Sequence, residues 1–325
     1  MKISKINDIA LKAGVSPSTV SRVFNNRPYV KEEIRRHVLN IAVEMDYSPK
    51  ATARRDTISV IVNDWENVME NSYAYSMISS FYAVAGKLNL HLEIVALDEI
   101  DRIYQNFSKA VIAMTYDAEN EALRKIKNIP VVMVNCVMDG INYICTDHRG
   151  GMYRATKYLI ENGHRDIALF FLSRYPLTTW GDRERLAGYR AALEDAGLEF
   201  RRELVVCNAR EALLEIARLL KQQHPTALIG SGESLFMPMR HALELLDKRI
   251  PEDISLVSFY VPGVTPYILP EMTCVQQDFH ELVRICMEKV VGLIQGEEDR
   301  FETMLESKFI EGHSVKPLNK SIIRR

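Results

Sequence analysis

The 325-residue chain is long enough for two or three domains. Its 47% hydrophobic and 26% charged residues are those of an ordinary globular protein, and no apolar run reaches the roughly 18–20 residues that a membrane helix needs. The net charge of −2 conceals an asymmetry: residues 1–55 hold eleven Lys or Arg against five Asp or Glu, a balance of +6 that leaves −8 for the rest, so a polyanionic partner would meet the N-terminal segment alone.

The first 47 residues predict three short helices. Ile6, Ile9, Ala10 and Ala13 share one helical face, and Gly14 can adopt the left-handed conformation that ends a helix. Ser16-Pro17 restarts the chain, serine as the cap and proline in the first turn. In this second helix Val20 and Val23 face inward. Ser18, Thr19, Ser21, Arg22 and Asn25 are left outside the apolar face. A third helix is predicted from about Lys31 to Met45, with Ile34, Val38, Ile41 and Met45 as its stripe. Two helices parted by a few residues that include a glycine form a helix-turn-helix, whose second helix fits a major groove about 12 Å wide. Spacing alone also allows a generic three-helix bundle.

The residues themselves narrow the choice. Ile6-Asn7-Asp8-Ile9-Ala10, Ala13-Gly14-Val15-Ser16 and Thr19-Val20-Ser21-Arg22-Val23-Phe24-Asn25 resemble the N-terminal signature of the LacI/GalR repressor family. Tyr47-Ser48-Pro49 and Ala53-Arg54 are similar to that family's entry into its hinge. The resemblance implies a DNA-reading head over residues 1–47, a hinge over 48–57 and an effector-binding, dimerising body over 58–325. It implies DNA contacts from Pro17, Ser18, Thr19, Ser21, Arg22, Asn25 and Arg54.

From residue 58 onward, short β-branched runs alternate with amphipathic stretches, the pattern of parallel α/β units. Strands are predicted at Ile58–Val62, His91–Leu97, Ala110–Met114, Val131–Val134 and Tyr143–Thr146, with helices at Tyr75–Leu88 and Glu119–Lys127. A second set has strands at Ile167–Leu172, Leu204–Cys207, Ala227–Ile229 and Leu256–Phe259. Its helices fall at Gly151–Glu161, Asp182–Ala196, about Glu211–Gln222, Leu235–Leu246 and Asp278–Gln295. Two such sets predict two Rossmann-like lobes with a cleft between them, and ligands of open α/β sheets bind at the carboxyl ends of the strands.

The family resemblance runs on through Asp147, Asn162-Gly163-His164-Arg165-Asp166, Arg185-Leu186-Ala187-Gly188-Tyr189, Ile250-Pro251-Glu252-Asp253-Ile254-Ser255, and Thr273, Val275 and Gln276. It implies a body similar to periplasmic sugar-binding proteins, with operator DNA, a small polar effector and a second copy of the chain as partners. Arg185 early in its helix, Asp147, Glu233 and Tyr260 at strand ends, and an aromatic from Tyr73 or Tyr75 are the expected effector contacts. The overall expectation is a sequence-specific transcriptional regulator, a repressor answering to a sugar or sugar derivative. The competing reading is an α/β small-molecule-binding protein whose helical head does not read DNA.

Four departures from the family are legible. Ser231-Gly232-Glu233 stands where an alanine-asparagine-aspartate triplet is usual. Ser258-Phe259-Tyr260 replaces glycine-tyrosine-aspartate, and a tyrosine cannot supply the carboxylate that sugar-responsive members use. The stretch between residues 97 and 110 is too short for a full crossover helix. Asp56 occupies the hinge position where a leucine commonly wedges into the minor groove, and a carboxylate is repelled by phosphate there.

Catalytic and metal chemistry find no support in the motifs. Gly230-Ser231-Gly232-Glu233-Ser234 fits neither GxSxG nor a Walker loop and reads as a strand-to-helix turn. His148 and His164 lack partners at ligand spacing and read as turn or surface histidines. Five scattered cysteines without CxxC spacing predict reduced core thiols. No cofactor is expected. The first eight residues lack the apolar core of a secretory signal, which predicts a cytoplasmic protein.

Overall fold

The computed structural model describes residues 6–25, 27, 29–47, 56–63, 72–115, 120–173, 177, 179–207 and 211–318. Arg54 and the hinge signature from Ser48 to Arg54 lie outside the described residues.

The head contains α1 (Ile6–Ala13), α2 (Pro17–Phe24) and α3 (Glu32–Glu44). Ile9, Ala10, Ala13, Val20, Val23, Val38 and Ile41 are buried together, as the periodicity requires. Gly14 has φ of +64°, and Ser16 Oγ accepts the Thr19 amide at 3.1 Å, with Pro17 in the first turn. Arg35 departs from its polar character. It is buried and donates from Nη2 to the Arg27 carbonyl at 2.9 Å, which ties α3 to the loop after α2.

The chain divides into two compact units, one taking Met1–Val68, and with it the head, Met77–Ile144 and His280–Thr303, the other Met69–Ser76, Cys145–Phe279 and Met304–Arg325. The first carries β1 (Thr57–Val62), β2 (His91–Ala96), β3 (Ala110–Met114), β4 (Val131–Val134) and β5 (Asn142–Thr146). They pair in parallel, and β11 (Glu302–Leu305) completes the order β11-β5-β4-β3-β1-β2. From Ile58 onward β1 is wholly buried, as a central parallel strand should be. Its helices are α4 (Ser72–Lys87) from Met77 onward, the short α5 (Arg102–Gln105) and α6 (Glu121–Arg124), and α11 (Phe279–Gln295) from His280 onward. The crossover between β2 and β3 therefore holds a 3-10 turn at Leu97–Glu99 and the one-turn α5 in place of a full helix, as its length predicted. The helix expected over Glu119–Lys127 shrinks to α6.

The second sheet contains β6 (Ile167–Phe170), β7 (Val205–Val206), β8 (Ala227–Gly230), β9 (Ser255–Phe259), β10 (Thr273–Gln276) and β12 (Lys308–Ile310), ordered β12-β10-β9-β8-β6-β7. Only β12 pairs antiparallel, against β10. Around it run α7 (His148–Glu161), α8 (Trp180–Asp195), α9 (Ala212–Gln222) and α10 (Phe236–Leu245). Two features fix where α7 and α8 begin. The Asp147 carboxylate caps α7 by accepting the Gly150 amide at 2.7 Å, and Thr179 caps α8 by accepting the Asp182 amide at 3.2 Å. The two helices cross at Gly188, where a Cβ would stand 2.1 Å from the Arg149 carbonyl oxygen. Backbone-to-backbone approach at that point sets the first turn of α7 against the middle of α8, and the His148 ring lies against Gly181 at the start of α8.

His164 corrects its reading as a turn or surface histidine: it is 1% exposed. Its Nδ1 sits 2.9 Å from Thr226 Oγ1 and its Nε2 3.1 Å from the Lys316 carbonyl, joining the end of α7, the entry to β8 and the C-terminal segment. A carbonyl only accepts, so Nε2 carries the proton and Nδ1 takes the threonine hydroxyl. Burial pushes the imidazole down to about 4. The folded value lies below that of an unfolded histidine, so the unfolded chain binds more protons between the two. The stabilisation is complete above about pH 6.5 and drains away as pH falls toward 4. Urea unfolding should show a loss of about 2 kcal/mol between pH 7.5 and pH 5 that His164→Asn, though less stable throughout, does not share. Equal pH slopes in the two proteins would refute this.

Candidate reading helix and effector-binding edge

The exposed side of α2 presents Ser18, Arg22 and Asn25 beside Pro17. Thr19 and Ser21 are half-buried and partly engaged. Thr19 Oγ1 is 2.9 Å from Ser16 Oγ, and the Asn25 amide donates to the Ser21 carbonyl at 2.8 Å. The open face therefore narrows to small groups flanking one guanidinium, which suits close approach to base edges. Sequence reading missed Tyr29. It lies in the loop after α2, fully exposed, with φ of +75°, a conformation costly for an aromatic residue and held at function-bearing loops. Its signal was the local turn chemistry of Asn25 to Val30, too short to show a periodicity.

At the carboxyl edge of the second sheet, side chains gather around Arg185. Its side chain is 14% exposed. Its Nη1 donates to Asp182 Oδ1 at 3.2 Å, its Nη2 stands 3.3 Å from His148 Nδ1, and its carbon lies 4.8 Å from the centre of the Phe259 ring. Its Nε is buried without a hydrogen-bond partner. Arg185 can only donate, so His148 Nδ1 accepts and the ring proton sits on Nε2. Gln277 Nε2 reaches the same Nδ1 at 2.9 Å, and Trp180 meets the imidazole edge-on at 5.5 Å. Asp182 also accepts the Ser173 hydroxyl at 2.5 Å. Burial raises the Glu233 carboxyl above its usual range, opposed by the nearby charge of Arg185.

The expected residues fare differently. Arg185 and Glu233 come together. Tyr260 follows the end of β9, its amide paired to the Val275 carbonyl at 2.9 Å. Asp147 is beside them through His148, with one carboxylate oxygen committed to the cap. Tyr73 packs edge-on to Phe279 at 5.3 Å. Tyr75 stands two positions further along α4, on the far face, and is 60% exposed. His148, read as a turn or surface residue, is 4% exposed and central to the cluster. Its partners at 185 and 277 are remote in sequence, so no local pattern betrayed it. The carboxyl edge of the first sheet also holds orphaned groups: Asn63 Oδ1 after β1 and Thr115 Oγ1 after β3 are buried without partners. Such groups await a ligand or water.

No group of acidic, histidine and cysteine residues among the described residues could hold a metal, and no described helix is long and apolar enough to cross a membrane.

The family model for bacterial regulatory proteins of the lacI family matches residues 5–50, and that for a periplasmic binding protein-like domain matches 156–315. The chain is 28% identical to the probable HTH-type transcriptional repressor ExuR of Bacillus subtilis (strain 168), across 96% of this chain and 98% of that one. It is also 28% identical to the HTH-type transcriptional repressor PurR of Erwinia tasmaniensis, across 96% and 97%. Among solved structures it resembles the transcriptional regulator CelR in complex with cellobiose, with a TM-score of 0.70 at 23% identity over 96% of this chain and 99% of that one. It resembles the lac repressor dimer bound to operator and an anti-inducer with a TM-score of 0.71 at 20% identity over 97% and 100%. These matches account for the head and the body alike: the chain belongs to the lacI family of transcriptional regulators, a family of DNA-binding proteins and not of enzymes.

Proposed function

We propose that this protein is an operator-binding repressor that works as a homodimer and answers to a small polar effector, a sugar or sugar derivative. The observation that carries the DNA half is the open face of α2, with Ser18, Arg22 and Asn25 exposed on a closed three-helix core. Residues 1–47 act as the head, 48–57 as the linker and 58–325 as the body. Pro17, Thr19 and Ser21 shape or support the reading face, Arg54 adds a contact from the linker, and Tyr29 joins them from the loop.

The effector half rests on Arg185, with its unpartnered Nε, among His148, Gln277, Glu233 and Tyr260. Asp147 and Tyr73 are further contacts expected from the same unit. Tyr75 is a weaker candidate, given its exposure. A relative of the same fold is a cellobiose complex, which supports a carbohydrate class.

A single three-helix head buries too little DNA surface for tight specific binding, so two heads should meet two half-sites. Tyr82 on α4, Leu214 on α9, Met237 on α10, and Tyr267 and Leu269 before β10 are exposed apolar side chains available to a second copy. Footprinting on DNA upstream of the protein's own gene should reveal a near-palindrome, with the bound protein sedimenting as a dimer at micromolar concentration. A monomer, or protection without two-fold symmetry, would refute the reading.

A further inference from the structure

We infer that the head is seated on the first α/β unit by a side-chain latch, built where that unit's crossover is cut short, and that this latch positions the reading helix. A full crossover helix would occupy the space between β2 and β3. Here the 3-10 turn at Leu97–Glu99 and the single turn of α5 do so, with Ile103 and Tyr104 of α5 and Phe107 just after it buried. Helix α3 packs along α5.

Three polar contacts and one aromatic contact join the two parts. Arg36 of α3 pairs with Asp101 at the start of α5. Lys109, entering β3, places Nζ 2.5 Å from Asp46 Oδ1 just after α3. Asn128 Nδ2 donates to Glu44 Oε1 at 3.4 Å, and Lys12 holds the other Glu44 oxygen at 2.6 Å. Phe24, the last residue of α2, stacks on Tyr47 at 5.3 Å and meets Phe107 edge-on at 5.4 Å. Asp46 and Phe107 both hold positive φ, +46° and +52°, so the docking residues on each side sit in constrained turns.

The charges are complementary in detail: base to acid at 36 and 101, acid to base at 46 and 109. Exposed pairs of this kind are individually weak and screened by salt. The head is tethered by the linker, however, and millimolar effective concentration lets weak contacts populate one seated arrangement. Seating leaves Ser18, Arg22 and Asn25 exposed, so it fixes the reading face without covering it. It also suits a chain with Asp56 before β1. The Asp56 carbonyl already accepts the His91 amide at 2.9 Å, so the chain joins the first sheet at that residue.

The test uses full-length protein and two charge reversals, Asp101→Arg and Lys109→Glu, with the swaps Arg36→Asp plus Asp101→Arg and Asp46→Lys plus Lys109→Asp. Trypsin cleavage after Lys50, Arg54 and Arg55 reports release of the head. Each reversal should speed cleavage several-fold at low salt, each swap should return it to near the parent rate, and high salt should level all the proteins. Reversals without effect, or swaps that fail to restore, would overturn the latch. The positioning role rests on the DNA-reading assignment, which the cleavage assay does not require. On the footprinted DNA, reversals should weaken binding several-fold and soften the penalty for one base pair inserted between half-sites. Unchanged or tighter binding would overturn the positioning role and leave the DNA assignment standing.

Discussion

Arg185→Ala should erase the response to effector while the protein still binds its operator within about twofold of the parent, since the substitution leaves the head's own core and the reading face of α2 unaltered. The guanidinium is the hub of its edge, joining Asp182, His148 and the Phe259 face while leaving Nε free for a ligand acceptor. Alanine removes every donor at once. It leaves Asp182 with the Ser173 hydroxyl and its backbone contacts, and it removes the positive charge that opposes the upward push on the Glu233 carboxyl. Loss of a partly buried pair should also lower stability by about 2 kcal/mol, short of unfolding a domain of this size. Arg185→Lys is the sharper variant, because it keeps the charge and loses the planar fork. Binding of candidate sugars by calorimetry, alongside gel-shift titration, separates the two effects. A full effector response in Arg185→Ala would place the ligand elsewhere.

Arg22→Ala should weaken binding to the best operator by about 1–3 kcal/mol, roughly tenfold to more than a hundredfold, if the guanidinium spans a guanine edge. Arg22 lies in the last turn of α2, exposed, with the buried Val20 and Val23 holding the helix under it. The loss should be confined to one base position per half-site, and a substituted operator should bind parent and variant alike. Equal weakening on every sequence, with a shallower salt dependence, would make Arg22 a phosphate contact.

The head was almost wholly legible because its signals are local. Ser16-Pro17, Gly14 and the Ile9 and Val20 spacings each act within one turn of chain, and the structure uses them as read. The parallel strands were legible because central strands are continuous apolar runs. The strands β11 and β12 were not: Glu302–Leu305 and Lys308–Ile310 are short and hold only exposed and half-buried residues, as edges do. Thr273–Gln276 stood out as a motif and turned out to be a strand. His148 and Gln277 were hidden because they are far apart in the chain and meet only where α7 packs against β10. Asp147 was expected to face a ligand, and much of its hydrogen-bonding capacity goes to starting α7 instead.

The sheet order carries a consequence for the birth of the molecule. Strand β11 borders the first sheet and β12 the second, and only residues 306 and 307 separate them. Both sheets thus wait for the same late stretch of translation, and until then β5 and β10 each face outward as unpaired edges, the kind of surface that attracts other chains and chaperones. The head closes its own core within 47 residues. At roughly 5–20 residues per second it precedes the finished body by tens of seconds. A folded DNA reader therefore exists on the ribosome well before the body that will pair it with a second one.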